Sequence, residues 1–338
     1  MIVIAACLTS ENYAQTAGTV MPLGEGISAK KFFSSTVDKN NTVWFLTESG
    51  IVSFDGSKWI LHNKNKNVTS SELQSVVYDS SPSGSELWFA THHGATSASL
   101  PVDELSGVNS YQPGNSKILS EKVFALAVGK GGQKWFGTDK GISAVKNNKW
   151  MTNSYEDKYP ESLFSAYPIT SMAATTDGDT LYIGTKGGGV LRVFRNSDVD
   201  AVSGASEYAA WGPILMASDT VYCVHVSSNG VQWFGTDKGV SKHVGYKTLE
   251  GWAIYTVAEG LVDDNVQAIN SDNKGNLYFG TKKGLSVFDG AKFTTYQTGN
   301  GLASNNILTI AVDNKGVVWI GTDNGVTCFK EGKFQSYR

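Results

Sequence analysis

One seven-residue phrase recurs seven times along this 338-residue chain: an aromatic, an apolar or aromatic residue, a small residue, Thr, two variable residues and Gly. The copies start at Trp44, Trp88, Trp135, Tyr182, Trp233, Tyr278 and Trp319, 41 to 51 residues apart. A period in the forties, written in aromatic and β-branched residues with glycine punctuation, is one four-stranded blade per copy of a β-propeller. The register extends beyond the phrase. Gly26 to Asp38, Gly260 to Asp272 and Gly301 to Asp313 each span 12 positions, and the motif aromatic follows each Asp by six. The expected fold is therefore all-β, a single seven-bladed β-propeller of four-stranded antiparallel blades over residues 16–338, with about 45 residues per blade.

The seventh copy, the least interrupted, translates directly into strands. Ile307 to Val312 is an apolar run of strand length. Asp313-Asn314-Lys315-Gly316 is a tight-turn sequence with Asp opening and Gly closing it. Val317 to Gly321 returns as a second strand, and Thr322-Asp323-Asn324-Gly325 reverses the chain again, its Gly placed for a positive φ. Val326 to Phe329 and Phe334 to Tyr337 complete the unit, the last forming the outer edge of the last blade. Thr19 to Met21 also aligns with an outer strand and is a candidate to extend or displace that edge.

Packing accounts for most of the conspicuous residues. Propeller blades stack face to face, so the motif aromatic fills the wedge between blades, a burial worth roughly 2–3 kcal/mol. Five of seven copies carry Gly before Thr, which points to close approach of a neighbouring backbone. Trp59, Trp150 and Trp252 fall near outer strands, with Trp211 close by, so the tryptophans read as core rather than a cofactor or sugar-stacking box. A formal net charge of −3 with no single-sign basic stripe argues against nucleic acid, and no apolar run is long enough for a transmembrane segment. Cys223 and Cys328 lie in blades five and seven, which are not neighbours, so no bridge is expected between them.

Residues 1–15 stand outside the repeat and read as a leader. Ile4-Ala5-Ala6-Cys7 resembles a lipoprotein box, in which Cys7 would become the lipidated first residue, and cleavage after Ala14 is the alternative. Either places the propeller outside the cytoplasm, periplasmic or at the cell surface; an uncleaved cytoplasmic terminus is the competing reading.

The pattern D-x-x-G-x-x-W-x-G-T-x-x-G, carried by Asp313 to Gly325 and, with Tyr278 for Trp, by Asp272 to Gly284, resembles the two-component regulator propeller repeat. Blades three and five depart from it with Gly129 and Ser227 in place of Asp, and blade two expands the turn between Asp79 and Glu86. The resemblance implies an extracytoplasmic, sensor-like propeller that binds a soluble ligand, with oligosaccharide fragments the class often sensed. Here it would be a freestanding propeller, its signal passing to a membrane or surface protein partner.

Enzymatic readings have less to stand on. A sialidase-like arginine triad is not met by Arg192, Arg195 and Arg338, and a propeller lyase would need a His base with carboxylate or metal partners. His225 is the one inner-strand His so placed, and His92-His93 is a weak metal signal, so neither a catalytic residue, a metal nor a cofactor is assigned. A ligand-binding sensor is the leading reading, with a protein-interaction scaffold and a propeller lyase or glycan-active enzyme as alternatives. The site is expected where loops enter the inner strands. Phe33, Gln74, Phe124, Met172, Tyr222, Gln267 and Leu308, five residues before each turn, vary among five residue types beside constant scaffold positions, and His225 lies deeper in its blade. The Tyr155 to Tyr167 connection would bring Tyr159 and Phe164 near that rim. Core variation near the axis is the plain alternative for these positions.

Overall fold

The computed structural model describes residues 20–62, 72–79, 85–100, 108–129, 131–152, 167–175, 180–196, 201–208, 216–245 and 251–338. The leader with Cys7, Trp211, and Tyr159 and Phe164 of the long connection lie outside these residues. The fold is all-β, a seven-bladed propeller of four-stranded antiparallel sheets, with one short 3-10 turn at Thr298–Asn300. Strand β1 is Val20–Met21. Blade 1 holds β2 to β5: Phe32–Val37, Val43–Thr47, Gly50–Phe54 and Trp59–His62. Blade 2 holds β6 to β9: Leu73–Asp79, Glu86–Thr91, Gly94–Ser99 and Asn109–Tyr111. Blade 3 holds β10 to β13: Val123–Val128, Lys134–Thr138, Gly141–Lys146 and Lys149–Thr152. Blade 4 holds β14 to β17: Ile169–Ala174, Thr180–Thr185, Val190–Asn196 and Ala201–Tyr208. Blade 5 holds β18 to β21: Val221–Val226, Gln232–Thr236, Gly239–His243 and Trp252–Tyr255. Blade 6 holds β22 to β25: Val266–Ser271, Leu277–Thr281, Gly284–Phe288 and Phe293–Tyr296. Blade 7 holds β26 to β29: Ile307–Val312, Val318–Thr322, Gly325–Lys330 and Lys333–Tyr337. Two compact units divide the chain, one built on blades 6, 7 and 1, the other on blades 2 to 5 together with Asp264–Val266.

The repeated phrase is the wiring of two turns. In every blade the motif Thr is buried and its Oγ1 donates to the carbonyl of the glycine that opens the third strand, at 2.7–2.9 Å. The same oxygen accepts a backbone N–H from within the turn at 3.0–3.2 Å. Blade 4 stretches the turn by one residue, Thr185 reaching Gly189. Gly325 illustrates why the phrase must end in glycine: its φ is 107°, and a Cβ there would strike the Tyr337 carbonyl of the outer strand.

The other turn explains the six-residue spacing between Asp and the aromatic. Asp313 Oδ1 accepts the N–H groups of Lys315 and Val317, and Oδ2 accepts the Trp319 indole N–H at 3.3 Å. Asp38 does the same for Asn40, Thr42 and the Trp44 indole, and Asp272 for Lys274, Asn276 and the Tyr278 hydroxyl. All three belong to the unit of blades 6, 7 and 1.

Within each unit the blades pack as wedges. Trp319 of blade 7 lies against Phe45, Phe54 and Trp59 of blade 1, with ring centroids 5.2–6.4 Å apart. In the other unit Trp135 packs with Ile169, Met172 and Ile183 of blade 4, and Tyr182 with Val221 and Phe234 of blade 5. The glycines before Thr are close-approach positions, though the neighbour is mostly a side chain. A Cβ on Gly137 would meet Met172 and Ile169, and one on Gly280 would meet Ile307; on Gly235 and Gly321 it would also meet the carbonyls of Val266 and Phe32.

One edge differs from the sequence expectation. β29 is not the outermost strand of its sheet, because β1 pairs with it in parallel, Val20 with Ser336 and Met21 with Tyr337. Leu23 N–H to Arg338 O and Arg338 N–H to Met21 O continue the seam. An N-terminal segment entering blade 1 finds the open edge of blade 7 within reach, and pairing satisfies backbone groups that edge would expose.

Candidate functional site

Five of the seven positions singled out in the inner strands are bulges. Register slips by one residue at Phe33, Gln74, Phe124, Tyr222 and Leu308, each left without a partner on the second strand. A bulge re-aims the extra side chain out of the sheet's alternation, and it recurs where a sheet presents a functional residue. Each of these residues is half-buried. The bulge lies at the end of the inner strand that meets the Thr turn: Phe32 pairs with Thr47, and Val221 with Thr236.

Blade 4 corrects the sequence alignment. Its bulge falls at Thr170, and Met172 is a core residue, 8% exposed, paired with Ile183 and packed against Gly137. Thr175 occupies the Asp position of this blade and closes the turn with Thr180. Thr170 donates its hydroxyl to the Val221 carbonyl of blade 5 at 2.6 Å.

In the unit of blades 6, 7 and 1, Phe33, Gln267 and Leu308 share this strand end. Gln267 Nε2 donates to Asn306 Oδ1 at 3.2 Å, and Asn306 Nδ2 in turn to Asp323 Oδ2 at 2.9 Å, so an amide and a carboxylate are held beside Leu308. Phe33 has the Lys31 ammonium 5.8 Å from its ring centre. Glu48 accepts the N–H groups of Lys30 and Lys31 at 2.6 and 2.8 Å, pinning the loop that enters blade 1.

In the unit of blades 2 to 5, Gln74, Phe124, Thr170 and Tyr222 take the equivalent places. Gln74 Nε2 is turned back onto the Leu73 carbonyl at 3.0 Å. Phe124 meets the His92 ring edge-on at 6.2 Å, and His93 pairs with Glu72 at 3.0 Å. The Thr-turn histidines thus belong to the rim; sequence reading treated them only as a metal signal.

His225 sits three residues further along β18, opposite Trp233. It is half-buried, and desolvation pushes its pKa down to about 4, so it is neutral at pH 7. Asn270, at the same register in blade 6, donates to the Ile310 carbonyl of blade 7 at 3.0 Å, a structural use of a polar inner-strand residue. Burial likewise pushes the Cys223 thiol up to about 12, which removes it as a nucleophile. Among the described residues Cys223 is free. Among the described residues no group of three His, Cys, Asp or Glu side chains is placed to hold a metal ion, and no helix is long and apolar enough to cross a membrane.

Comparison with known proteins follows this geometry. The two-component regulator propeller family matches residues 301–324, the Asp313 and Thr322 turns included. No curated protein sequence matches the chain. Among solved structures, the extracellular domain of the hybrid two-component system BT3049 from B. thetaiotaomicron is similar at 22% identity and TM-score 0.71, over 90% of this chain and 39% of that one. PorZ, a surface component of the type-IX secretion system of Porphyromonas gingivalis, is similar at 17% identity and TM-score 0.67, over 93% and 48%. Virginiamycin B lyase from Staphylococcus aureus is similar at 11% identity and TM-score 0.64, over 87% and 92%. The chain thus spans less than half the length of the first two, and at these identities the likeness is one of fold. Repeat match, turn wiring and blade count converge: this chain is a seven-bladed β-propeller that carries the two-component regulator propeller repeat.

Proposed function

We propose that this chain is a non-catalytic, extracytoplasmic ligand-binding propeller of sensor type, and that its ligand is an uncharged oligosaccharide. The observation that carries the reading is the contrast between Thr turns wired alike in seven blades and adjoining bulge residues that differ from blade to blade. Side chains used only for packing would be expected in the sheet's regular alternation, whereas bulge residues are re-aimed. Phe124 and Tyr222 offer ring faces and Gln74 an amide, all in the unit of blades 2 to 5. Rings and amides suit polyhydroxylated, uncharged molecules; phosphate ligands call for arginine forks. The depressed pKa of His225 and the raised one of Cys223 leave both poorly suited to catalysis at neutral pH. Two of the similar structures are an extracellular domain and a bacterial surface component, which supports a place outside the cytoplasm. The signal would pass to a membrane or surface protein.

Calorimetric titration of the protein with a glycan panel tests this. A glycan should bind saturably, with Phe124→Ala and Tyr222→Ala each weakening it by about tenfold, the scale of one lost stacking group. Binding that both variants retain unchanged would place the ligand elsewhere, and no binding to any glycan would favour a protein-interaction scaffold.

A further inference from the structure

The unit of blades 6, 7 and 1 carries a concave feature at the end of the strands opposite the Thr turns. A cavity of about 340 Å³ opens between the Asp272 and Asp313 turns and the hairpin joining β28 to β29. Its floor is apolar, with Tyr278 and Phe329 in edge contact at 6.2 Å and Val287 beside them. Lys274, Lys315 and Lys330 stand around it.

The carboxylate at the back of the cavity is already engaged. Both oxygens of Asp272 accept hydrogen bonds, from two backbone N–H groups, the Asn276 amide and the Tyr278 hydroxyl, at 2.7–2.9 Å. The remaining acid is Glu331, 3.8 Å from Lys274, while Lys315 and Lys330 make no ion pair among the described residues. Glu331 is held in the left-handed region at φ 50°. Blade 3 fills the same hairpin position with Asn147, a residue that tolerates that backbone. A long acid is the costlier choice, and strain of this kind collects where a side chain is needed at a site.

We propose that this cavity binds a small hydroxylated carboxylate, of the class of a uronic acid. Lys315 and Lys330 take the carboxylate, Glu331 and the Asn314 amide take ring hydroxyls, and the apolar floor takes the C–H face. Size is consistent, since small-molecule pockets start near 300 Å³. The site is separate from the bulge residues and does not rest on the function proposed for them.

The whole chain titrated with glucuronate and galacturonate, with glucose, acetate and inorganic phosphate as comparators, tests the assignment. At least one uronate should bind saturably, and glucose, which lacks the charge, and acetate, which lacks the ring, at least tenfold more weakly. Lys315→Gln/Lys330→Gln should cost tenfold or more. Glu331→Gly, which suits the backbone and preserves the fold, should cost several-fold. Tyr222→Ala should leave uronate binding unchanged, so the two sites fail or stand separately. Absence of saturation, equal responses to acetate or phosphate, or affinity untouched by the lysine changes would each overturn the proposal.

Discussion

Asp313 accepts four hydrogen bonds with one carboxylate, one from the Asn41 amide and three from its own turn and strand, and those three show how a single side chain can set a repeat's spacing. Asp313→Ala would strand two turn N–H groups and a buried indole, and is expected to cost about 2–3 kcal/mol in urea unfolding with an unchanged m-value. Gly129 is the converse case. It opens a turn with the same backbone bonds, Gly129 N–H to Gln133 O and Gly132 N–H to Gly129 O at 2.8 and 2.9 Å, but offers no carboxylate. The Trp135 indole nitrogen and the Gln133 amide are buried there without hydrogen-bond partners. Gly129→Asp should therefore stabilise by about 1 kcal/mol, read as a raised Tm; a lowered Tm would show that the turn does not admit the blade 7 wiring. His225 is the residue whose protonation couples to stability. Its folded pKa of about 4 lies below the ordinary 6.5, so the unfolded chain takes up the proton first. The stability it contributes is complete above about pH 6.5 and is lost as pH falls toward 4, by about 2 kcal/mol once its partial exposure is allowed for. His225→Asn, the choice blade 6 makes at Asn270, should flatten that dependence, and parallel pH–stability curves for the two proteins would refute it.

At the scale of elements, the inner strand is the part of each blade that does two things at once. Its regular residues, such as Val123 and Ile307, are fully buried between blades, while one bulge near its start frees a side chain from that duty. β1 shows the reverse economy, a two-residue strand whose value lies in closing an edge. A chain beginning at Leu23 should lose about 1–2 kcal/mol, a few degrees in Tm, through the missing pairs to Ser336 and Tyr337. It should also self-associate more readily, because β29 would then present free backbone groups. A truncated chain as stable and as monodisperse as the full one would mean that β1 is only resting on the sheet.

For the whole molecule, seven near-identical blades acquire individuality only through what their turns and bulges carry. Export is the prediction at this scale. Protein isolated from the native host should begin at a lipid-bearing Cys7 or at Gln15, as read by intact-mass and peptide mass spectrometry. Cytoplasmic protein with Met1 intact would overturn the extracytoplasmic assignment.

The sequence by itself determined the blade count, the strand order and most strand positions, because each blade is local: hairpin-linked neighbours, a Thr and an Asp that close turns within a few residues, and glycines demanded by backbone angle. It also pointed to the variable inner-strand positions, since the comparison between copies is written in the chain. Tertiary structure decided the rest. Thr170 rather than Met172 holds the blade 4 bulge, because register depends on which residue closes the turn, and an insertion hides that in sequence. The pairing of Val20 with Ser336 joins residues more than 300 positions apart, and nothing local specifies it. The cavity arises where the turns of two blades meet a third hairpin, and only packing brings Lys274, Lys315 and Glu331 together.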